Sequence, residues 1–366
     1  MPQALQNHAP ASPVQVLAQR AMNGLRQHPL SWSLGVLALL MVWAASRGAV
    51  RVGLHDVEAL WSWIQWGQDA PLSGGAYVLA QLRLPRVGLA VLVGAALGLC
   101  GALTQGLFRN PLADPGLLGV SSGAACAAAL AIVLLADSAW AQALAWRYWL
   151  LPLAAFAGAV GVCVLLDALA RWLTSAHSVS GLLLCGIALN ALAAAVIGLC
   201  TYLATDEQLR SLSFWTLGSL AGARWVLVAV LGVALVLAAV LARRMAAALN
   251  ALALGEAVAG HVGVSLPRLR WGIVLVVAVL NGLAVAWCGM IGFIGLLAPH
   301  LVRLLLGADQ HSVLPLSMVL GALLLLGADT LARTLAVPAE IPVGIFTALL
   351  GAPFFLLLLR GLRHGG

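Results

Sequence analysis

Between Arg224 and Arg243 the chain reads WVLVAVLGVALVLAAVLA, with no charged residue and none of the apolar/polar alternation of a barrel strand. A stretch of this length and apolarity matches the hydrocarbon core of a bilayer, which takes about 20 residues of helix to cross. Backbone N–H and C=O groups find no water there, so a spanning segment must be a helix or belong to a closed barrel. The run therefore predicts a transmembrane α-helix, and its kind recurs. With 63% apolar residues, 8% charged residues and a mean hydropathy of +1.03 over 366 residues, the chain holds about ten such segments and no room for a large soluble domain. The expected fold class is an all-α polytopic membrane protein.

The expected spans are 32–50, 84–107, 116–136, 148–173, 181–203, 224–243, 271–289, 291–306, 314–333 and 342–359. Residues 1–31, polar and proline-punctuated, read as a loosely ordered tail, and 32–366 as one transmembrane domain. The run SWSLGVLALLMVWAAS is taken as the first span, because the segment before it is too long for the basic start of a signal peptide. Ten spans put both termini on one side. Every one of the 19 basic residues is arginine. With the tail inside, Arg20, Arg26, Arg109, Arg171, Arg243, Arg244, Arg268, Arg270, Arg303, Arg360 and Arg363 face the cytoplasm; eight others lie outside. The bias is modestly positive-inside, so the external arginines need their own explanation.

Several chemistries are disfavoured. The six cysteines fall in or at the edges of spans without close-set pairs, which indicates small packing residues rather than a disulfide framework or a metal site. The eight histidines are scattered, leaving haem ligation by a fixed histidine unsupported; His300, in LLAPHLVRLL, either lines a pathway or packs near Pro299. A phosphate-binding loop requires a lysine that reaches the terminal phosphates, and this chain has none. It is not expected to be an enzyme, needs no cofactor, and must draw any ATP energy from a partner.

Four ordered segments carry a resemblance: LRLPRVGLAVLVGAALGLCGALTQGLFRNPLADPGLLGVSSGA (82–124), NALALGEAVAGHVGV (250–264), GMIGFIGLLAPHLVRLLLGAD (289–309) and LLLGADTLARTLAVPAEIPVGIFTALLGAPFF (324–355). Together they resemble the FecCD family, permease subunits of type II ABC importers for ferric siderophores, haem and vitamin B12. The resemblance implies a homodimer of ten-helix subunits in the bacterial inner membrane, with both termini cytoplasmic and a path along the dimer axis. It further implies two cytoplasmic ATPase subunits and a periplasmic binding protein that delivers substrate.

Residues alone make 250–264 a glycine-punctuated connector between spans six and seven, helix-permissive until Gly263 and Pro267. The resemblance makes it the segment that couples to the ATPase through Leu254, Gly255, Glu256, Ala257, Gly260 and Gly263, with small residues such as Ala253, Gly255, Ala257 and Gly260 allowing close approach and Glu256 making a polar contact. In LRLPR, Arg83 and Arg86 share a helix face three residues apart, and Pro85 suits a first turn. Arginine recognises carboxylates bidentately, and the B12 branch implies that Arg83, Arg86 and Arg333 receive acidic groups of the binding protein. The alternatives are snorkelling to headgroups and, for Arg333, an i,i+4 pair with Asp329. Pro111 and Pro115 in RNPLADPG break the helix, and irregular backbone at membrane depth belongs beside protein or a water-filled path. By resemblance Asn110 and Leu112 lie at the cytoplasmic constriction and Ser178 and Ser180 in a second gate loop. SAHSVSG departs from the B12-branch pattern, and either set has the alternative of a plain turn. Asn190 is a strongly polar side chain deep in span five, suited to the pathway or to a helix–helix hydrogen bond.

Two function classes follow. One is the permease of an ATP-driven importer of an iron chelate, ferric siderophore or haem, with vitamin B12 as the alternative cargo. The other is a proton-coupled secondary transporter in which Asp329, Asp167 or Glu340 carries the ion. The coupling segment and the absence of a mid-helix carboxylate cluster favour the first.

Overall fold

The computed structural model describes residues 28–48, 50, 52–66, 72, 74–135, 147–173, 179–337 and 339–362; most of the expected tail, and Ser178, lie outside them. In chain order the helices are α1 (Pro29–Ser46), α2 (Leu54–Trp66), α3 (Gly74–Phe108), α4 (Val120–Leu135), α5 (Arg147–Leu173), α6 (Val179–Leu203), α7 (Asp206–Leu217), α8 (Trp225–Ala253), α9 (Glu256–His261), α10 (Leu266–Cys288), α11 (Ile294–Leu306), α12 (Gln310–Thr334) and α13 (Val343–Leu362). A 3-10 turn, Pro115–Leu118, precedes α4. Among the described residues, seven helices (α1, α3, α5, α6, α8, α10 and α12) are long and apolar enough to cross a membrane, and α4, α11 and α13 are shorter apolar helices. These ten occupy the positions of the ten expected spans.

The core is built around α3. Of its apolar window 83% is buried, against 11% for α1 and 22% for α5, so α3 is the axis and the other two are peripheral. Glycine makes this possible. A Cβ at Gly98 would sit 2.0 Å from the Ser317 carbonyl oxygen of α12, and one at Gly101 would sit 1.7 Å from that of Gly295 in α11. Small residues at such spacing let backbones approach closely where no hydrophobic effect drives helices together.

Element boundaries depart from the expected spans in informative ways. α3 begins at Gly74, not at 84, because apolar sequence continues upstream; a π-turn over Val78–Arg83 is inserted and Pro85 falls in the first α-helical turn after it. α8 runs on past Arg243 and Arg244 to Ala253, so residues 250–253 finish that helix and only α9 is a separate short helix. α11 spans 13 residues, about 20 Å at 1.5 Å per residue, too short to cross alone. Residues 289–293 lead into it from α10, with Gly289 N–H on the Val285 carbonyl (2.9 Å) and the Phe293 carbonyl accepting from Leu297 N–H (2.8 Å).

Two helices that cross nothing, α2 and α7, were not among the expected elements. α7 opens with a capping box: the Thr205 hydroxyl accepts from Gln208 N–H (3.4 Å) and the Gln208 side chain accepts from Thr205 N–H (3.1 Å).

Candidate functional site

Chemistry-bearing side chains gather at the two ends of the bundle. The end where α1 starts also holds the turn after α3, α9, and the start of α12; it is called the near end. The far end holds the last turn of α1, the π-turn of α3 and the last turn of α12.

At the far end Arg83, Arg86 and Arg333 come together around a cavity of about 290 Å³, which Glu340, Gly48 and Val50 also line. Arg83 and Arg333 are buried. Arg83 donates to the carbonyls of Ala45 (3.0 Å), Ser46 (3.3 Å) and Val50, and Arg333 to those of Arg47 (2.6 Å) and Ala44. The last carbonyls of a helix have no intrahelical donor and carry partial negative charge, so the two guanidinium groups cap α1. Arg86 takes a different partner set. Its Nε and Nη2 hold Asp329 at 2.8–3.2 Å, and Nη1 meets both oxygens of Glu340 at 2.9 Å. The i,i+4 pair of Arg333 with Asp329 is present at 3.6 Å. Asp329 is fully buried while Glu340 is 45% exposed. Three cations thus face two carboxylates, leaving one net positive charge.

At the near end α9 is set off by glycines. Gly255 (φ +122°) turns the chain out of α8, and Gly263 (φ +85°) ends α9 with Val264 N–H on the Ala259 carbonyl (3.0 Å) and its own N–H on that of Gly260 (3.0 Å). This is a Schellman ending, in which glycine accepts the left-handed residue at no steric cost. A Cβ at Gly255, Gly260 or Gly263 would meet nothing within 4 Å, so these residues present an open surface. Leu254, Val258 and Val262, spaced four apart, are exposed apolar side chains on it, and Ala259 is buried on the opposite side.

Glu256 pairs with Arg109 at 3.3 Å. Arg109 closes α3 in the left-handed region (φ +50°), and the RNPLADPG turn begins there. Asn110 Oδ1 accepts from Leu112 N–H (2.9 Å), and Asp114 caps the 3-10 turn by accepting from Gly116 N–H (2.7 Å). Burial pushes the Asp114 carboxyl above its usual range, opposed by that N–H. Asn190 of α6 donates to the Gly116 carbonyl (3.2 Å) and accepts from Ser122 of α4, so the helix–helix hydrogen bond is made and it holds the turn. Asn250 ties the end of α8 to the start of α12, donating to Asp309 (2.7 Å) and accepting from Gln310 N–H (2.9 Å).

The coupling residues and the Asn110–Leu112 turn are therefore brought together through Arg109, and the three arginines at the other end. Ser180 falls in the first turn of α6, and Ser178 is outside the described residues. The carboxylates considered for proton carriage are all engaged by arginine: Asp329 and Glu340 as above, and buried Asp167 by Arg270 (3.2 Å) and Arg171 (3.0 Å). His300 packs its ring edge-on to Phe354, centroids 6.4 Å apart. Reasoning from sequence missed Arg109 as the partner of Glu256, and Glu340 and Asp329 as partners of Arg86. It also passed over Val258 and Val262, although their spacing from Leu254 was a readable signal.

The sequence matches the FecCD transport family over residues 36–361. It is 43% identical over 343 residues to the hemin transport system permease protein HmuU of Yersinia pestis, covering 94% of this chain and 99% of that protein. It is 39% identical to the Fe(3+) dicitrate transport system permease protein FecD of Escherichia coli, covering 78% of this chain and 86% of that protein. With the vitamin B12 import system permease protein BtuC of Vibrio cholerae identity is 41%, over 76% of this chain and 81% of that one. A solved chain described as an inward-facing conformation of a metal-chelate type ABC transporter superposes with a TM-score of 0.73 at 35% identity, covering 90% of this chain and 99% of that chain.

Proposed function

The chain belongs to the FecCD transport family, and we infer that it is the membrane-spanning permease subunit of an ATP-driven importer for an iron chelate, ferric siderophore or haem. The observation that carries the reading is a small outward helix, α9, which with its flanking residues displays Leu254, Val258 and Val262 beside open glycines and is joined by Glu256 to the turn that closes α3. A docking partner with an apolar groove fits that surface. The chain lacks the lysine of a phosphate-binding loop, so ATP hydrolysis belongs to separate subunits, two of which would dock on a homodimer at the near end. The near end is then cytoplasmic, as are both termini, in a bacterial inner membrane.

At the far, periplasmic end the net positive cavity suits a carboxylate of a substrate-loaded binding protein. Arg83 and Arg333 hold the frame by capping α1, and the Nη1 edge of Arg86 is the part within reach. Asn110 and Leu112 form the cytoplasmic constriction, steadied by Asn190 through Gly116; Ser178 and Ser180 are assigned to the second gate loop on resemblance alone. Proton coupling is disfavoured by the arginine partners of Asp167, Asp329 and Glu340. The near full-length likeness to a hemin permease supports haem as cargo ahead of vitamin B12. The test is uptake by the complex reconstituted with its ATPase and binding protein, offered labelled haem, vitamin B12 and several siderophores. Uptake of vitamin B12 alone, or uptake that needs a proton gradient and no ATP, would overturn the assignment.

A further inference from the structure

α2 is a helix with three faces. At about 100° per residue, Ala59, Leu60 and Trp63 form one face, which joins Leu79 and Ala80 of α3 in a small buried cluster that Ala45 of α1 also packs against. His55, Glu58, Ser62 and Gln65 form a second, polar and exposed. Leu54, Val57, Trp61 and Ile64 form the third: an apolar stripe at i, i+3, i+7 and i+10 whose members are 48–83% exposed. A helix that only bridged two spans in water would need two faces, one packed and one polar. The third requires an apolar medium that shares the helix with both protein and water.

The height of α2 identifies that medium. The buried cluster it joins is also covered by Ala45, two residues from Trp43, which is exposed and carries Arg47 over its ring at 5.9 Å. Ala80, in the same cluster, receives the indole N–H of Trp225 (3.0 Å), and Trp225 is also exposed. Tryptophans whose rings lie outward beside the ends of spans mark the membrane–water interface. The apolar stripe of α2 continues the level at which α1 leaves the hydrocarbon.

We propose that α2 lies in the headgroup layer of the far leaflet, with Leu54, Val57, Trp61 and Ile64 inserted at the acyl boundary and Glu58 and Gln65 in water. No arginine or lysine lies in α2, and Asp56 and Glu58 are acidic, so the surface fits zwitterionic headgroups and is held by apolar area rather than by anionic lipid. Because Leu79 and Ala80 belong to the π-turn that ends at Arg83, the embedded helix also braces the backbone that carries the arginine cavity. The inference depends on the chain spanning a bilayer and is independent of what it transports.

The test uses the full chain in nanodiscs of zwitterionic phospholipid, with half-buried Cys126 and Cys185 replaced by alanine. Nitroxides are attached at Trp61→Cys, Ile64→Cys and, on the polar face, Glu58→Cys. Collision with oxygen is expected to exceed collision with a water-soluble nickel chelate several-fold at 61 and 64, with the order reversed at 58. A second measurement avoids cysteine replacement: lipids brominated near the headgroup end of the acyl chain are expected to quench wild-type tryptophan fluorescence more than that of Trp61→Phe. Equal nickel access at 58, 61 and 64, or identical quenching of wild type and Trp61→Phe, would overturn the proposal. So would protection of 61 and 64 from both reagents, which would give the stripe to a second copy or to the binding protein.

Discussion

Replacing Glu340 by Gln is expected to tighten the docking of a binding protein. Arg86 divides its guanidinium between two carboxylates, one fully buried and one 45% exposed. In the proposed docking the Nη1 edge, 2.9 Å from Glu340, is the side an incoming carboxylate would reach, so Glu340 would compete with the partner for it. Two unit charges at that separation attract by about 1.4 kcal/mol at the dielectric constant of water. Exposed pairs retain only about 0.2–1 kcal/mol after side-chain ordering. Removing the competitor is therefore expected to lower Kd about two- to fivefold at low salt, with less gain at high salt as screening grows, and to leave the stability of the subunit within about 1 kcal/mol. The assay is binding of the substrate-loaded partner to the permease in nanodiscs at both salt concentrations, with thermal unfolding as control. Asp329→Asn provides the contrast, since breaking a buried pair costs about 3–5 kcal/mol and should appear as lost folded protein. Unchanged or weaker binding by Glu340→Gln at low salt would show that Arg86 does not receive a carboxylate.

Replacing Arg83 and Arg86 together by Glu is expected to reduce the yield of folded subunit before docking can be read, because the new carboxylates would face Asp329, Glu340 and the last carbonyls of α1; size-exclusion chromatography and thermal unfolding check it. Glu256→Arg, or Gly255→Trp at φ +122°, is expected to abolish substrate uptake while the subunit still inserts, measured by uptake beside membrane fractionation; unchanged uptake in either would remove α9 from coupling. The chain purified alone is expected to release no phosphate from ATP and to do so only with a separate ATPase subunit. Gly101→Ala is expected to destabilise the bundle by about 1–3 kcal/mol or more, because its Cβ would lie 1.7 Å from a carbonyl oxygen; a melting temperature within a degree of wild type would refute that packing.

Apolar runs made the ten membrane segments legible, since the length of a span is imposed by the bilayer and leaves its mark on every residue in it. The ends were harder. α3 extends ten residues beyond its expected start and α8 ten beyond its expected end, because alanine and arginine continue a helix into the interface as readily as they close it. α2 escaped notice for a related reason: its apolar residues are shared between a packed face and an exposed one, so neither stripe stands out against a hydrophobic chain. The arginines show a different limit. Spacing put Arg83 and Arg86 on one face, but i and i+3 say nothing of the carbonyls of a helix dozens of residues away, and the structure shows Arg83 and Arg333 as two caps and Arg86 as one divided guanidinium. Glu256 was recognised as polar in an apolar segment; its partner, Arg109, was hidden because a left-handed arginine has no signature of its own.

That partner bears on how movement of α9 would reach the gate. The Arg109–Glu256 pair is exposed on both sides, 41% and 37%, and at about 0.2–1 kcal/mol it cannot drag a span. If α9 is the coupling helix, the load would pass through the chain itself, from α9 into the long helices α8 and α10 that flank it, with Asn250 fastening α8 to the start of α12. What the pair can do is bias a small element. The turn after α3 is held by short hydrogen bonds at Asn110, Asp114 and Gly116 and by Asn190 across to α6, and Arg109 enters it from a backbone conformation that costs a non-glycine residue of order 1 kcal/mol. The exposed ion pair offsets part of that backbone cost, and when it breaks the turn keeps only its own hydrogen bonds. If the turn is the gate and α9 the coupling helix, as proposed, displacing α9 would weaken the turn without having to break its hydrogen bonds.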